Sequence, residues 1–320
     1  MSSSEFDLIE SIARSQSARR DDVTLGIGDD CALLNVPAGM ELAVSLDTLV
    51  SGRHFFADAS PELIGHKVLA VNLSDLAAMG AEPAWVTMGL TLPEPDKEWL
   101  AGFMRGFSVL ASKYGVQLVG GDTTSGPLTV SLQAHGLVPA GKAIRRSGAR
   151  PGDLVYVSHT IGDAGVALAM LQGRITATDE LDTLRQRLES PQPRIELGIA
   201  LRDVATAAID LSDGLASDLG HICERSQCGA VIETHRLPLS GAVGTLSDWR
   251  LAVTAGDDYE LCFTIDPSQQ ERVTQLSQEL DLRLSCIGKM RQQPGIDFVS
   301  DDGSSESGLQ GYDHFPESDT

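Results

Sequence analysis

The sequence predicts an α/β (α+β) protein of two domains, and three observations predict it. Strand-like and helix-like patterns alternate along the chain, which argues for mixed rather than single-type structure. At 320 residues the chain exceeds one ordinary domain of about 100 to 200 residues. A polar, turn-rich passage lies near the middle: Pro139-Ala140-Gly141, then Arg145-Arg146-Ser147-Gly148 and Arg150-Pro151-Gly152-Asp153. Such a passage suits a linker and divides the chain into 1–139 and 140–320.

In the first half, residues 6–17 place Phe6, Ile9, Ile12 and Ala13 on one helical face. Gly26-Ile27-Gly28-Asp29-Asp30-Cys31 follows, a glycine-opened turn with two adjacent carboxylates before the apolar Ala32-Leu33-Leu34. Neighbouring carboxylates repel, so a cation is expected there. Residues 42–46 read as a buried strand ending at Asp47-Thr48, and α/β folds commonly build sites at strand ends. The following Gly52-Arg53-His54-Phe55 reads as a loop. Ser60 as N-cap, Pro61 in the first turn and Gly80 as stop define a helix. Within it Asn72 and Asp75 are three apart and share a face. Polar groups in so apolar a run are costly to bury without partners, which singles out Asp75.

Residues 85–92 alternate, with Val86, Met88, Leu90 and Leu92 on one face of a half-buried strand. Residues 96–114 form an amphipathic helix closed by Gly115, and 116–119 a short strand running into a turn, Gly120-Gly121-Asp122-Thr123-Thr124. Another strand spans 128–138. The second half repeats the alternation. A strand covers 154–158, Gly162-Asp163-Ala164-Gly165 opens a helix, and 176–193 reads as solvent-facing helix and loop. A strand over 205–209 ends at Asp210, with Asp210-Leu211-Ser212-Asp213-Gly214 leading into a helix to Ser226. Ala255-Gly256-Asp257-Asp258 is a further turn of glycine and aspartate. After Asp301 the Ser-, Gly- and acid-rich tail reads as loose, apart from Gly311-Tyr312-Asp313-His314-Phe315, whose aromatics need somewhere to pack.

The formal charge of -21, from 45 Asp plus Glu against 24 Lys plus Arg, excludes nucleic-acid binding through a broad basic surface. Metal ions or a metal-chelated anion are the better match, although most of the charge must be solvated surface. Cys31, Cys223, Cys228, Cys262 and Cys286 are odd in number and form no C-x-x-C pair, so they read as buried free thiols in a reducing compartment. No basic and apolar leader begins the sequence and no apolar run is long enough for a membrane span, so the expected address is cytoplasmic.

Asp29, Asp30, Asp47, Asp75, Asp122, Asp210 and Asp213 offer hard oxygen ligands of the kind Mg²⁺ takes. Magnesium needs only one or two carboxylates when phosphate oxygens and water complete its shell, so this set suggests more than one ion carrying a polyphosphate. Turn aspartates also serve local hydrogen bonding, and that alternative stands for each. Neither a phosphate-binding P-loop nor a complete dinucleotide fingerprint nor a protein-kinase catalytic loop is present. Arg145 and Arg146 either contact phosphate or form a solvated basic turn. His54 either touches a substrate or is an exposed loop residue, and Ser212 is either a nucleophile or a turn-capping serine.

Taken in order, several segments closely resemble the thiamine-monophosphate kinase family. They are Gly26-Ile27-Gly28-Asp29-Asp30, Asp47-Thr48-Leu49-Val50 with His54-Phe55, and Ala70-Val71-Asn72-Leu73-Ser74-Asp75-Leu76-Ala77-Ala78-Met79-Gly80. Gly120-Gly121-Asp122-Thr123-Thr124, Asp210-Leu211-Ser212-Asp213-Gly214-Leu215 and Asp258-Tyr259-Glu260-Leu261 complete the set, and the resemblance spans essentially the whole chain. The N-x-x-D helix and the G-G-D-T segment are similar to the wider superfamily of aminoimidazole ribonucleotide synthetase, selenophosphate synthetase and hydrogenase maturation dehydratase. The full Asn-Leu-Ser-Asp-Leu-Ala-Ala-Met-Gly run and the terminal Gly-Tyr-Asp-His-Phe are more specific to the kinase.

The resemblance implies ATP-dependent phosphorylation of thiamine monophosphate with several Mg²⁺ ions, and the two-domain aminoimidazole ribonucleotide synthetase-like fold. It implies a homodimer whose N-terminal domains, 1–139, pair their mixed sheets into a shared barrel and bind ATP, with 140–320 completing the active site. By position, Asp30, Ser45, Asp47, Asp75, Asp122, Asp210 and Asp213 resemble the family's metal ligands. Gly121, Asp122, Arg146 and Ser212 resemble nucleotide contacts, and His54, Asp257 and Tyr312 resemble substrate contacts. Two departures stand out: Leu46 occupies a position usually held by threonine, and Ala255-Gly256-Asp257 stands for the usual Gly-Gly-Glu. The alternatives are another ATP-using enzyme of the superfamily and a non-catalytic acidic binder of divalent cations. Within the first, selenophosphate synthesis usually brings a reactive Cys or selenocysteine near the N-terminus, and none stands before Cys31; the second would not respond to an ATP analogue.

Overall fold

The protein is described by a computed structural model over residues 11–15 and 18–313. Of the lead-in helix expected over 6–17, residues 11–14 are helical; Phe6 and Ile9, like His314 and Phe315 of the tail motif, lie outside the described residues. The chain separates into two compact units, Met1–Leu76 with Ala81–Ala143, and Ala77–Gly80 with Ile144–Thr320.

The first unit runs β1 (Val23–Leu25), β2 (Leu33–Leu34), β3 (Met40–Val50), α1 (Pro61–Ala78), β4 (Glu82–Leu92), α2 (Lys97–Tyr114), β5 (Gln117–Ser125) and β6 (Thr129–Pro139). β1 and β2 pair antiparallel around the acidic turn. The other strands form a mixed sheet in the order β3-β6-β4-β5, parallel only between β4 and β5. β4 follows its alternation, with Val86, Met88, Leu90 and Leu92 buried. Asp96 caps α2 by accepting the N–H groups of Glu98 and Trp99, and Gly115 ends it at a φ of 63°. Leu100, Phe103, Met104, Phe107 and Leu110 form the buried stripe of that helix.

The expected turn at Gly120-Gly121-Asp122 is instead part of β5, which continues through Ser125. A register shift between Val86 and Thr87 of β4 accommodates the extra residue. Gly121 is there for close backbone approach: a Cβ on it would sit 2.0 Å from the carbonyl oxygen of Met88.

The second unit comprises β7 (Leu154–Ser158), α3 (Asp163–Leu171), α4 (Leu181–Glu189), α5 (Ile195–Ala200), β8 (Ala205–Asp210), α6 (Leu215–Ser226) and β9 (Gly229–Glu233). It continues with α7 (Gly241–Leu246), α8 (Trp249–Thr254), β10 (Leu261–Ile265), α9 (Gln270–Glu279), β11 (Leu284–Arg291), β12 (Gly295–Val299) and β13 (Ser305–Ser307). Its seven strands are ordered β13-β12-β9-β11-β7-β10-β8, with only β9 and β12 parallel. Val155, Val157, Ile209, Leu219, Ile222, Ile232, Ile287 and Phe298 form much of the core.

Four expectations change here. The strand expected to be buried over 42–46 is part of the edge strand β3, which runs to Val50 and leaves Leu42, Val44 and Leu46 exposed. The tail after Asp301 contains β13, which pairs with β12. The 176–193 stretch is not simply solvent-facing, because Leu184 and Leu188 are buried and Arg187 turns toward Glu260. All the cysteines are free, but only Cys223, Cys228 and Cys262 are buried; Cys286 is partly buried and Cys31 exposed. Among the described residues no helix is long and apolar enough to cross a membrane.

Candidate functional site

In the first unit β3 and α1 bring three of the expected residues together. Ser45 donates its hydroxyl to Oδ2 of Asp75. Asp47, two residues along the same face of β3, donates its N–H to Oδ1 of Asn72 at 3.3 Å. Asn72 in turn donates to Val68 O at 2.9 Å, a helix-internal bond that orients its carbonyl end toward the strand. Desolvation and then the charge of Asp75 push the Asp47 carboxyl up to about 7. A half-buried carboxylate that feels the charge of a second carboxylate suits a hard divalent cation.

Asp29 and Asp30 lie exposed in the β1–β2 turn, and Oδ1 of Asp29 accepts the N–H of Asp30 at 2.8 Å. Asp29 thus supports the turn. Asp122 lies exposed on β5 opposite Gly89. Among the described residues no group of three or more His, Cys, Asp or Glu side chains is closed enough to hold a metal ion by itself. His54 uses Nδ1 to accept the Val50 N–H at 3.0 Å, which fastens its loop to the end of β3.

In the second unit the end of β8 forms a platform. Successive carbonyls of Leu211, Ser212 and Asp213 accept the N–H groups of Tyr259 at 2.8 Å, Asp257 at 2.9 Å and Tyr312 at 2.9 Å. Leu211 N–H closes the platform by donating to Glu260 O at 2.8 Å. Ser212, expected to serve nucleotide, and Asp213, expected to serve metal, are therefore tied by backbone bonds to residues expected to serve substrate, Asp257 and Tyr312. Ser212 works through its carbonyl here, and no histidine hydrogen bond reaching it is seen among the described residues. Arg146 is exposed, with its carbonyl accepting from Ser226 Oγ at 3.1 Å.

Asp218 was not anticipated. Buried in the first turn of α6, it accepts the N–H groups of Asp213 at 3.1 Å and Gly214 at 3.0 Å. Burial and then the Asp213 charge push its carboxyl up to about 7, while those two N–H groups and Arg146 pull the other way. Its signal was a carboxylate placed to cap the helix that follows Asp213-Gly214.

Two family models match: AIR synthase related protein, N-terminal domain, over residues 28–138, and AIR synthase related protein, C-terminal domain, over residues 150–301. A thiamine-monophosphate kinase from Salmonella typhimurium is 49% identical, covering 98% of this chain and 99% of the relative. The crystal structure of thiamine-monophosphate kinase from Stenotrophomonas maltophilia is 46% identical with a TM-score of 0.86, covering 96% of this chain and 99% of that one. A further structure, AaThiL complexed with AMPPCP and TMP, is 28% identical with a TM-score of 0.77, covering 97% of each chain. With both domains matched and near-complete coverage at this identity, the chain belongs to the thiamine-monophosphate kinase family of AIR synthase related proteins.

Proposed function

We propose that this protein transfers the γ-phosphoryl group of ATP to thiamine monophosphate, giving thiamine diphosphate and ADP. The observation that carries the reading is 49% identity to a thiamine-monophosphate kinase over 98% of the chain. The relative complexed with AMPPCP and TMP supports the same pair of substrates.

The acceptor is a phosphate oxygen already anionic near neutral pH, so no side chain has to remove a proton. That oxygen attacks the γ-phosphorus in line, the bond from the γ-phosphorus to the bridging oxygen breaks, and ADP leaves with those electrons. The work of the protein is positioning and charge balance. In the first unit Asp30, Ser45, Asp47, Asp75 and Asp122 are assigned to Mg²⁺, Gly121 and Asp122 to ATP, and His54 to thiamine monophosphate. In the second unit Asp210 and Asp213 are assigned to Mg²⁺, Arg146 and Ser212 to ATP, and Asp257 and Tyr312 to thiamine monophosphate. The donor set fits: its side chains are hard oxygens, and Asp47 and Asp75 repel each other in the absence of a cation. Mg²⁺, when bound, neutralises polyphosphate charge. Arg146 supplies a guanidinium fork suited to phosphate oxygens, and Tyr312, 45% exposed, is an aromatic ring of the kind that stacks on an aromatic substrate.

The assembly is a cytoplasmic homodimer. The edge strand β3 exposes Leu42 at 44%, Val44 at 52% and Leu46 at 56%, an alternating apolar row of the kind that a soluble protein covers. A second copy of the same sheet covers it, consistent with pairing into a shared barrel. The test is the reaction of purified protein with ATP, Mg²⁺ and thiamine monophosphate, with products separated chromatographically. Asp30→Asn and Asp213→Asn serve as controls that keep the fold and lose turnover by roughly 100-fold or more. Near-normal turnover in both variants contradicts the metal assignment, and no diphosphate with wild type contradicts the activity.

A further inference from the structure

Behind loop 257–259 lies an ionic network to which no role above is assigned. Glu260 is 1% exposed. Its Oε2 accepts from Ser158 Oγ at 2.6 Å and from Arg194 Nε at 2.6 Å, and its Oε1 accepts from Arg187 Nη2 at 2.8 Å and from Arg194 Nη2. Ser158 Oγ also accepts the Leu261 N–H at 2.9 Å, which fixes the start of β10. Arg187 Nη2 reaches Nδ1 of His159 at 3.1 Å, and the same nitrogen accepts the Thr160 N–H at 2.7 Å. One residue before Tyr259, the Asp258 carboxylate accepts the Gly162 N–H at 3.0 and 2.9 Å.

A buried carboxylate with two guanidinium groups is a costly way to hold a core together, because apolar side chains of similar volume often do as well or better. What such a network can supply is one defined geometry. The backbone beside it shows which geometry is being defined. Asp257 and Tyr259 stand at φ of 69° and 49°, left-handed conformations that non-glycine residues adopt only at a cost in backbone strain. They alternate with Asp258 and Glu260, which are anchored to the 158–163 segment and to the two arginines. The strained residues are held in front by their N–H bonds to Ser212 O and Leu211 O. Anchoring on both sides fixes where the Asp257 side chain leaves the loop.

We propose that Glu260, clamped by Arg187 and Arg194, is a positioning residue that sets loop 257–259 for thiamine monophosphate. The proposal rests on the assignment of Asp257 to that substrate. Glu260 acts through the loop and does not touch the reacting atoms. Arg187 makes one of the three guanidinium contacts to Glu260, so its removal leaves the two from Arg194 in place while also releasing His159 and Asp163.

Steady-state kinetics with each substrate varied in turn test this on Glu260→Gln, Arg187→Gln, Arg187→Lys and Asp257→Ala. Glu260→Gln and Arg187→Gln are expected to raise KM for thiamine monophosphate by about tenfold or more while KM for ATP stays within about twofold, and Arg187→Lys is expected to recover part of the loss. If Glu260→Gln does not fold, Arg187→Gln decides, because it leaves the Arg194 fork on Glu260. An unchanged KM for thiamine monophosphate in the folded variants overturns the proposal. So does a loss of kcat that only follows the folded fraction, with neither KM moved. If Asp257→Ala itself leaves that KM unchanged, the substrate assignment fails and takes the proposal with it. If Asp257→Ala raises it and the network variants do not, the positioning role alone fails.

Discussion

Ser45 on β3 gives its hydroxyl proton to the carboxylate of Asp75 on α1, thirty residues further along the chain. Ser45 and Asp47, two residues apart on β3, stand on the same face of the strand. Ser45→Ala removes both the donor to Asp75 and a neutral oxygen ligand. The Mg²⁺ concentration for half-maximal activity is expected to rise by about tenfold, with the melting temperature little changed. An unaltered Mg²⁺ dependence would exclude Ser45 from the metal set.

Asp47 makes the metal-free protein pH-sensitive. Its folded pKa of about 7 lies above the unfolded value, near ~3.9. Stability from protonated Asp47 is therefore fully present below about pH 4 and is lost as pH rises through about 7. Asp47→Asn removes this titration. In chelator-treated protein its advantage over wild type is expected to grow from pH 5 to pH 7 and then level off, on the order of 2 kcal/mol by urea unfolding. The same variant loses Mg²⁺-dependent activity. A difference independent of pH would contradict the upward shift that burial and then the Asp75 charge give the Asp47 carboxyl.

Gly311 is where the tail crosses the platform. A Cβ there would lie 2.3 Å from Asp213 O and 2.6 Å from Ser217 Cβ, so Gly311→Ala must push residue 312 off its hydrogen bond to Asp213. KM for thiamine monophosphate is expected to rise several-fold to about tenfold, with ATP affinity retained. Equal kinetics in wild type and variant would show that the placement of Tyr312 is immaterial.

The legibility of the sequence varied with the locality of the forces involved. The α1 helix was readable because Ser60, Pro61 and Gly80 punctuate it, and the β8–α6 junction because an apolar strand stops at Asp210 and glycine precedes the helix. β5 was misread because a glycine pair looks like a turn when the crowding backbone of Met88 is distant in sequence. β13 was missed because a short, polar edge strand has no apolar alternation to display. Arg187 and Arg194 lay in or beside a stretch whose charge suggests solvent, and their partner Glu260 is 73 and 66 residues away. The candidate aspartates were legible as a set, but the Ser45–Asp75 bond and the backbone platform on residues 211–213 depend on tertiary contacts.

The row formed by Leu42, Val44 and Leu46 predicts a second copy on β3. Val44→Lys places a charge in that row without touching the face that carries Ser45 and Asp47. Light scattering is expected to show a dimer for wild type and a folded monomer for the variant. A wild-type monomer at micromolar concentration would contradict the assembly.

The central claim is tested most directly by following phosphorus. A ³¹P NMR time course of the purified protein with ATP, Mg²⁺ and thiamine monophosphate is expected to show the monophosphate and ATP resonances falling together while thiamine diphosphate and ADP rise in equal amounts. Unchanged thiamine monophosphate, whether ATP persists or is hydrolysed to ADP and inorganic phosphate, would contradict it.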